Sequence, residues 1–69
     1  MKTYTLPQTH KGEFYSAVAF CEMDGGYGEY RHTNKVEGTT SYEVVDRLDN
    51  GSYRLKVMTE QEYKKYKEQ

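Results

Sequence analysis

The amino-acid sequence predicts an α+β fold rich in β-structure. The expected form is an antiparallel sheet of four to five strands, mostly a meander and closed at most into a partial small barrel, with one short C-terminal helix. Three observations carry this expectation. Asn50-Gly51 lies between two runs with alternating apolar residues, Tyr42, Val44 and Leu48 before it and Tyr53, Leu55 and Val57 after it, the pattern of a tight hairpin. Thr59 followed by Glu62 matches a capping box at a helix start. Eight tyrosines supply the large apolar area that the aliphatic residues do not.

Leu, Val and Phe together number ten in 69 residues, and Ile and Trp are absent. Alone, that share would suggest disorder, but the tyrosines and a net charge of -1 favour a small folded core. Residues 1–69 therefore read as one small domain, near the lower size limit for a core without staples.

Lys2 to Leu6 alternates and predicts a short first strand, ended by Pro7, which has no backbone donor. Pro7 to Gly12 is polar and turn-prone. Glu13 to Met23 is the most apolar stretch and reads as the central strand, with Phe14, Ser16, Val18 and Phe20 on one face and Tyr15, Ala17, Ala19 and Cys21 on the other. A helix is the alternative there. Phe, Tyr and Val content and the Gly-rich exit favour the strand.

Asp24-Gly25-Gly26 predicts a second hairpin, leading into a strand over Tyr27 to His32 that Gly28 weakens. His32 to Ser41 reads as the longest and most mobile connection. A two-residue type I′ turn at Asn50-Gly51 would set Leu48 against Tyr53, Asp46 against Leu55 and Val44 against Val57. That register expects Tyr42, Val44, Leu48, Tyr53, Leu55 and Val57 in the core and leaves Asp46 as an anomalous carboxylate among them. Beyond the Thr59 cap, Met58 and Tyr63 fit a hydrophobic staple. Glu60 and Glu62 near the start and Lys64, Lys65 and Lys67 near the end suit the helix dipole from Glu60 to about Lys67. So short a helix is marginal alone, so Tyr63 and Tyr66 should dock it.

Function is less legible than fold. The balanced charge argues against a strongly basic nucleic-acid binder. The single Cys21 excludes an intrachain disulfide and fits a reducing, cytoplasmic setting. The N-terminus lacks the apolar stretch of a signal peptide, and no run approaches membrane-spanning length. His10, His32 and Cys21 match no catalytic spacing, and Cys21 reads as a small core hydrophobe. Tyr30, Arg31, His32 and Glu29 have residue types suited to phosphodiester cleavage. Strand alternation, however, puts Tyr30 and His32 on one face and Glu29 and Arg31 on the other. Glu22, Asp24 and Glu29 lack the ligand spacing of a calcium loop. No catalytic residue, metal or cofactor is expected.

The expectation is therefore a non-enzymatic protein-binding module. Its small size suggests a cytoplasmic phage or mobile-element protein, open to forming a homodimer, that binds and modulates or inhibits a host protein through an exposed sheet edge or a Tyr-bearing face. The binding candidates are Tyr27, Tyr30, Arg47, Arg54 and Lys56. The alternative is a sheet or barrel binding RNA or single-stranded DNA. It rests on a basic strip in which Arg47 faces Arg54, with Lys56 beside Val45.

Overall fold

The computed structural model describes residues 1–7, 12 and 14–69. Its elements are β1 (Lys2–Leu6), α1 (Tyr15–Met23), β2 (Tyr27–Asn34), β3 (Thr39–Arg47), β4 (Tyr53–Thr59) and α2 (Glu60–Glu68). The four strands form an antiparallel sheet in the order β1-β4-β3-β2. Strands β2, β3 and β4 are a meander, and β1 closes the far side against β4. The sheet is open, not a barrel, and the α+β, β-rich expectation holds.

The stretch read as a central strand is a helix. Ala17, Val18 and Cys21 are its buried residues, spaced for one side of a helix and not one side of a strand. Its start has no side-chain cap, and Phe14 stands at its N-cap with φ 69°, so the usual N-terminal signal is missing. Its end was readable in another way. Gly25 (φ 78°) donates to the Glu22 carbonyl at 3.4 Å and Gly26 to the Cys21 carbonyl at 2.8 Å. This is a Schellman closure of the helix by the two glycines, not a hairpin turn.

The Asn50-Gly51 turn does form a hairpin, but with one residue more than a type I′ turn. The Gly51 amide donates to the Leu48 carbonyl and the Leu48 amide to the Ser52 carbonyl. Gly51 takes φ 87°, and Asn50 stays out of the positive region. A type I turn followed by a left-handed glycine accounts for this three-residue loop. Asn50 fastens it, its Oδ1 accepting from the Ser52 amide at 3.0 Å and the Ser52 hydroxyl at 2.6 Å.

The extra residue shifts the register by one and flips β3 relative to the expectation. Arg47 faces Tyr53, Asp46 faces Arg54, Val45 faces Leu55 and Val44 faces Lys56. The Asp46 anomaly disappears, because its strand partner is an arginine and not a core leucine. Val45 replaces Val44 on the main core face, and Leu48 lies in the loop, half-buried.

The predicted long loop over His32 to Ser41 is also mostly strand. Only Lys35 to Gly38 turn, with the Gly38 amide bonded to the Asn34 carbonyl at 2.8 Å. Asn34 Oδ1 accepts from the Val36 and Glu37 amides, so one side chain organises the whole turn.

The two helices lie on opposite faces. Under α1, Leu6, Ala17, Val18, Cys21, Val45, Tyr53 and Leu55 form the main buried cluster, with Phe14, Tyr30 and Val57 packed against it. On the other face, Val44 and Met58 are each 1% exposed, and Tyr63 of α2 stacks on Tyr42 with ring centroids 3.9 Å apart and nearly parallel planes. The capping box is complete: Glu62 N donates to Thr59 Oγ1 at 3.2 Å, and Thr59 N donates to Glu62 Oε1 at 2.9 Å.

Candidate protein-binding edge

The sheet has two edges of unequal character. On one, β1 spans five residues, begins with Lys2 and is followed by Pro7, all features that discourage a further strand. On the other, β2 spans eight residues, with no proline or lysine among them.

The hydrogen-bond pattern identifies which β2 groups face outward. The Arg47 amide donates to the Gly26 carbonyl at 2.8 Å, and the same register sets Gly28 against Val45, Tyr30 against Glu43 and His32 against Ser41. Because bonded pairs alternate along an antiparallel ladder, these even-numbered residues spend their backbone groups on β3. Tyr27, Glu29, Arg31 and Thr33 therefore direct their amide and carbonyl groups away from the sheet.

Side chains above this edge come from α1. At 100° per residue, Phe20 lies on one flank of the helix, next to the buried side made by Ala17, Val18 and Cys21, while Met23 lies on the side turned away from the sheet. Phe20 stacks on Tyr30 of β2, with centroids 5.8 Å apart, which places that flank on the β2 side. On the opposite flank Glu22 accepts from Arg47 of β3 and from the Tyr53 hydroxyl of β4. Phe20 is 42% exposed, so among the described residues an apolar ring beside the outer edge of β2 is partly uncovered.

The approach of α1 to β2 depends on Gly28. A Cβ on this residue would come within 2.8 Å of Cys21 Cα and of the Phe20 carbonyl carbon. The absent side chain is what lets the helix sit directly on the strand. Cys21 is fully buried there. Burial pushes its thiol above the ordinary value, and its side chain packs within the main buried cluster.

Beneath the edge, on the face of α2, Glu29 gathers three donors. Its carboxylate accepts from the Tyr27 hydroxyl at 2.5 Å, from the Tyr63 hydroxyl and from Lys67 Nζ at 3.0 Å. The Tyr27 and Tyr66 hydroxyls are 3.0 Å apart. Burial acts to raise the Glu29 pKa, but the bonds from Tyr27, Tyr63 and Lys67 together outweigh it and hold the carboxyl below its ordinary 4.5. Tyr27 shifts the other way, upward, chiefly by burial and then by its bond to Glu29. This cluster ties the last helix to the edge strand.

The structure disperses the five sequence-predicted site residues. Tyr27 and Tyr30 belong to the same edge strand but project from opposite faces. Arg47 lies on the α1 face, paired with Glu22. Arg54 and Lys56 lie on the α2 face, opposite Asp46 and Val44. Arg47 and Arg54 do not face one another, so the expected basic strip is not formed. Glu29, Arg31 and Phe20, which stand at or beside the outer edge of β2, are not among the binding residues that the sequence points to. The edge position of β2 and the helical state of residues 15–23 were the missing information.

The four residues of types suited to phosphodiester cleavage are divided by the strand, as its alternation required, with Glu29 and Arg31 on one face and Tyr30 and His32 on the other. His32 is exposed and helps line a cleft of about 450 Å³ with Phe14, Tyr15, Ser16, Tyr30 and Glu43. His10 lies outside the described residues. Among the described residues no three His, Cys, Asp or Glu side chains gather as a metal site, and no helix is long and apolar enough to cross a membrane. No protein-family model matches the chain, and neither a curated protein nor a solved structure matches it significantly.

Proposed function

We propose that this chain is a non-enzymatic protein-binding module that receives a polypeptide strand along the outer edge of β2. The observation that carries this reading is the coincidence of an eight-residue outer edge strand with the partly exposed Phe20, stacked on Tyr30, beside it. Strand addition gains affinity from main-chain hydrogen bonds and specificity from neighbouring side chains, and this edge offers both. The setting that goes with this reading is of phage or mobile-element type, in which the captured strand belongs to a host protein of the cytoplasm and is inhibited or redirected by capture. The nucleic-acid reading loses its support with the basic strip, since Arg47 is engaged on the face opposite Arg54.

Affinity capture from bacterial lysate tests the reading. The wild-type chain should retain a specific protein, and Thr33→Pro should release it, because this substitution removes an outward donor without touching the ladder to β3. Failure of the wild-type chain to retain a specific protein, or equal retention by both chains, would count against the edge.

A further inference from the structure

We infer that a second copy of this chain occupies the β2 edge in the absence of another partner, giving an antiparallel two-fold dimer with one continuous eight-stranded sheet. The inference rests on the reading of β2 as a binding edge and adds the occupant and its register.

Three constraints select the register. First, a two-fold axis perpendicular to the sheet keeps like faces together, so facing residues must both be odd or both be even. Second, the outward-directed residues Tyr27, Glu29, Arg31 and Thr33 must form the hydrogen-bonded pairs. Third, like charges must not meet directly. Centring the dyad on Glu29 sets two carboxylates against each other, and centring it on Arg31 sets two guanidinium groups against each other. Centring it on Tyr30 satisfies all three constraints and, unlike centring it on Gly28 or His32, also sets Glu29 against Arg31. Glu29 of each copy then faces Arg31 of the other, and Tyr27 of each faces Thr33 of the other.

The edge residues suit this arrangement. Arg31 is exposed and makes no ion pair among the described residues. Glu29 already accepts three hydrogen bonds, and a carboxylate has about four acceptor sites. On the opposite face the two Tyr30 side chains meet at the dyad as a non-hydrogen-bonded pair, where side chains approach closely. Each carries its stacked Phe20, so the two Phe20–Tyr30 ring pairs come together at the dyad. Dimerisation thus covers the long edge, the exposed rings and the unpaired arginine in one contact, while the β1 edge retains its own protection.

Sedimentation equilibrium across micromolar to submillimolar concentrations tests the occupant. The wild-type chain should dimerise, and Arg31→Glu should weaken the dimer about tenfold or more, since it places like charges at both symmetry-related Glu29 contacts. Lys35→Glu makes the same charge change in the β2–β3 turn and should leave the dimer intact. Mild oxidation of Tyr30→Cys tests the register: a dyad position brings the two thiols within disulfide reach, whereas Thr33→Cys faces position 27 and should not crosslink. A wild-type chain that stays monomeric overturns the inference, as does a dimer indifferent to Arg31→Glu or one crosslinked through Thr33→Cys instead. A monomer whose capture of another protein is still abolished by Thr33→Pro would overturn self-pairing while leaving the binding edge itself standing.

Discussion

The two faces of the sheet are covered by helices of nine residues each, yet they are held in different ways. Under α1 the contact is close and apolar, made by Ala17, Val18 and Cys21 and allowed by the bare backbone of Gly28. Under α2 the helix has no buried residue of its own. It stands on Tyr63 stacked over Tyr42, on the Tyr63 and Lys67 bonds to Glu29, and on the Thr59 cap. One face therefore depends on close apolar shape, while on the other the buried Val44 and Met58 are joined by directional polar contacts that hold the helix. Substitutions should separate the two, because overpacking a rigid contact costs more than loosening an exposed one.

The largest effect is expected at Gly28. Gly28→Ala drives a Cβ into the backbone of α1 at Phe20 and Cys21, where no flexible side chain can yield. A loss of about 3 kcal/mol in urea unfolding is expected. A loss near that of an exposed strand substitution would mean that α1 can lift away without cost. Glu29→Gln probes the other face and should cost about 1.5 kcal/mol near neutral pH, by weakening charge-assisted bonds from Tyr27, Tyr63 and Lys67.

The pH dependence of that difference follows from the depressed Glu29 pKa. Its contribution is complete above the ordinary 4.5 and lost as pH falls through the lower folded-state value. The stability gap between wild type and Glu29→Gln should therefore narrow in acid below pH 4.5. A gap that widened there would remove Glu29 as the anchor of α2. Smaller again, Thr59→Ala should cost about 1 kcal/mol by opening the capping box, with the loss of α2 amide protection in hydrogen exchange exceeding that in α1. Tyr63→Phe keeps the stack on Tyr42 and removes one hydroxyl bond to the carboxylate, again about 1 kcal/mol or less. Equal effects of these variants on protection of both helices would erase the contrast between the faces.

The same contrast explains which elements could be read from the residues. Around α2 the signals are local: Thr59 and Glu62 cap each other, and the acidic start and basic end follow the helix dipole. The structure places this helix one residue from the expected end. The strand over Lys2 to Leu6 was legible for a similar reason, since alternation and Pro7 mark its limits. Around α1 the local signals conflict. Phe14 holds the N-cap without a capping oxygen, while Phe14, Tyr15, Val18 and Phe20 have strand-like composition. The Asp24-Gly25-Gly26 segment suits a hairpin or a Schellman stop equally well. The binding edge inherited that uncertainty, because β2 becomes an edge only when residues 15–23 leave the sheet.

By itself the sequence determined the turn at Asn50-Gly51, the Thr59 cap, the strand at Lys2 to Leu6 and the β-rich class, since each rests on neighbours within a few residues. Tertiary structure decided that residues 15–23 form a helix and that the hairpin takes a loop of three residues, with the β3 register that follows from it. Adjacent Val44 and Val45 give β3 an apolar residue for either face, so alternation alone cannot choose its register. Packing does: Val45 meets the cluster beneath α1, Val44 lies on the face of α2, Asp46 comes opposite Arg54, and Gly28 admits the helix that leaves the outer edge of β2 open.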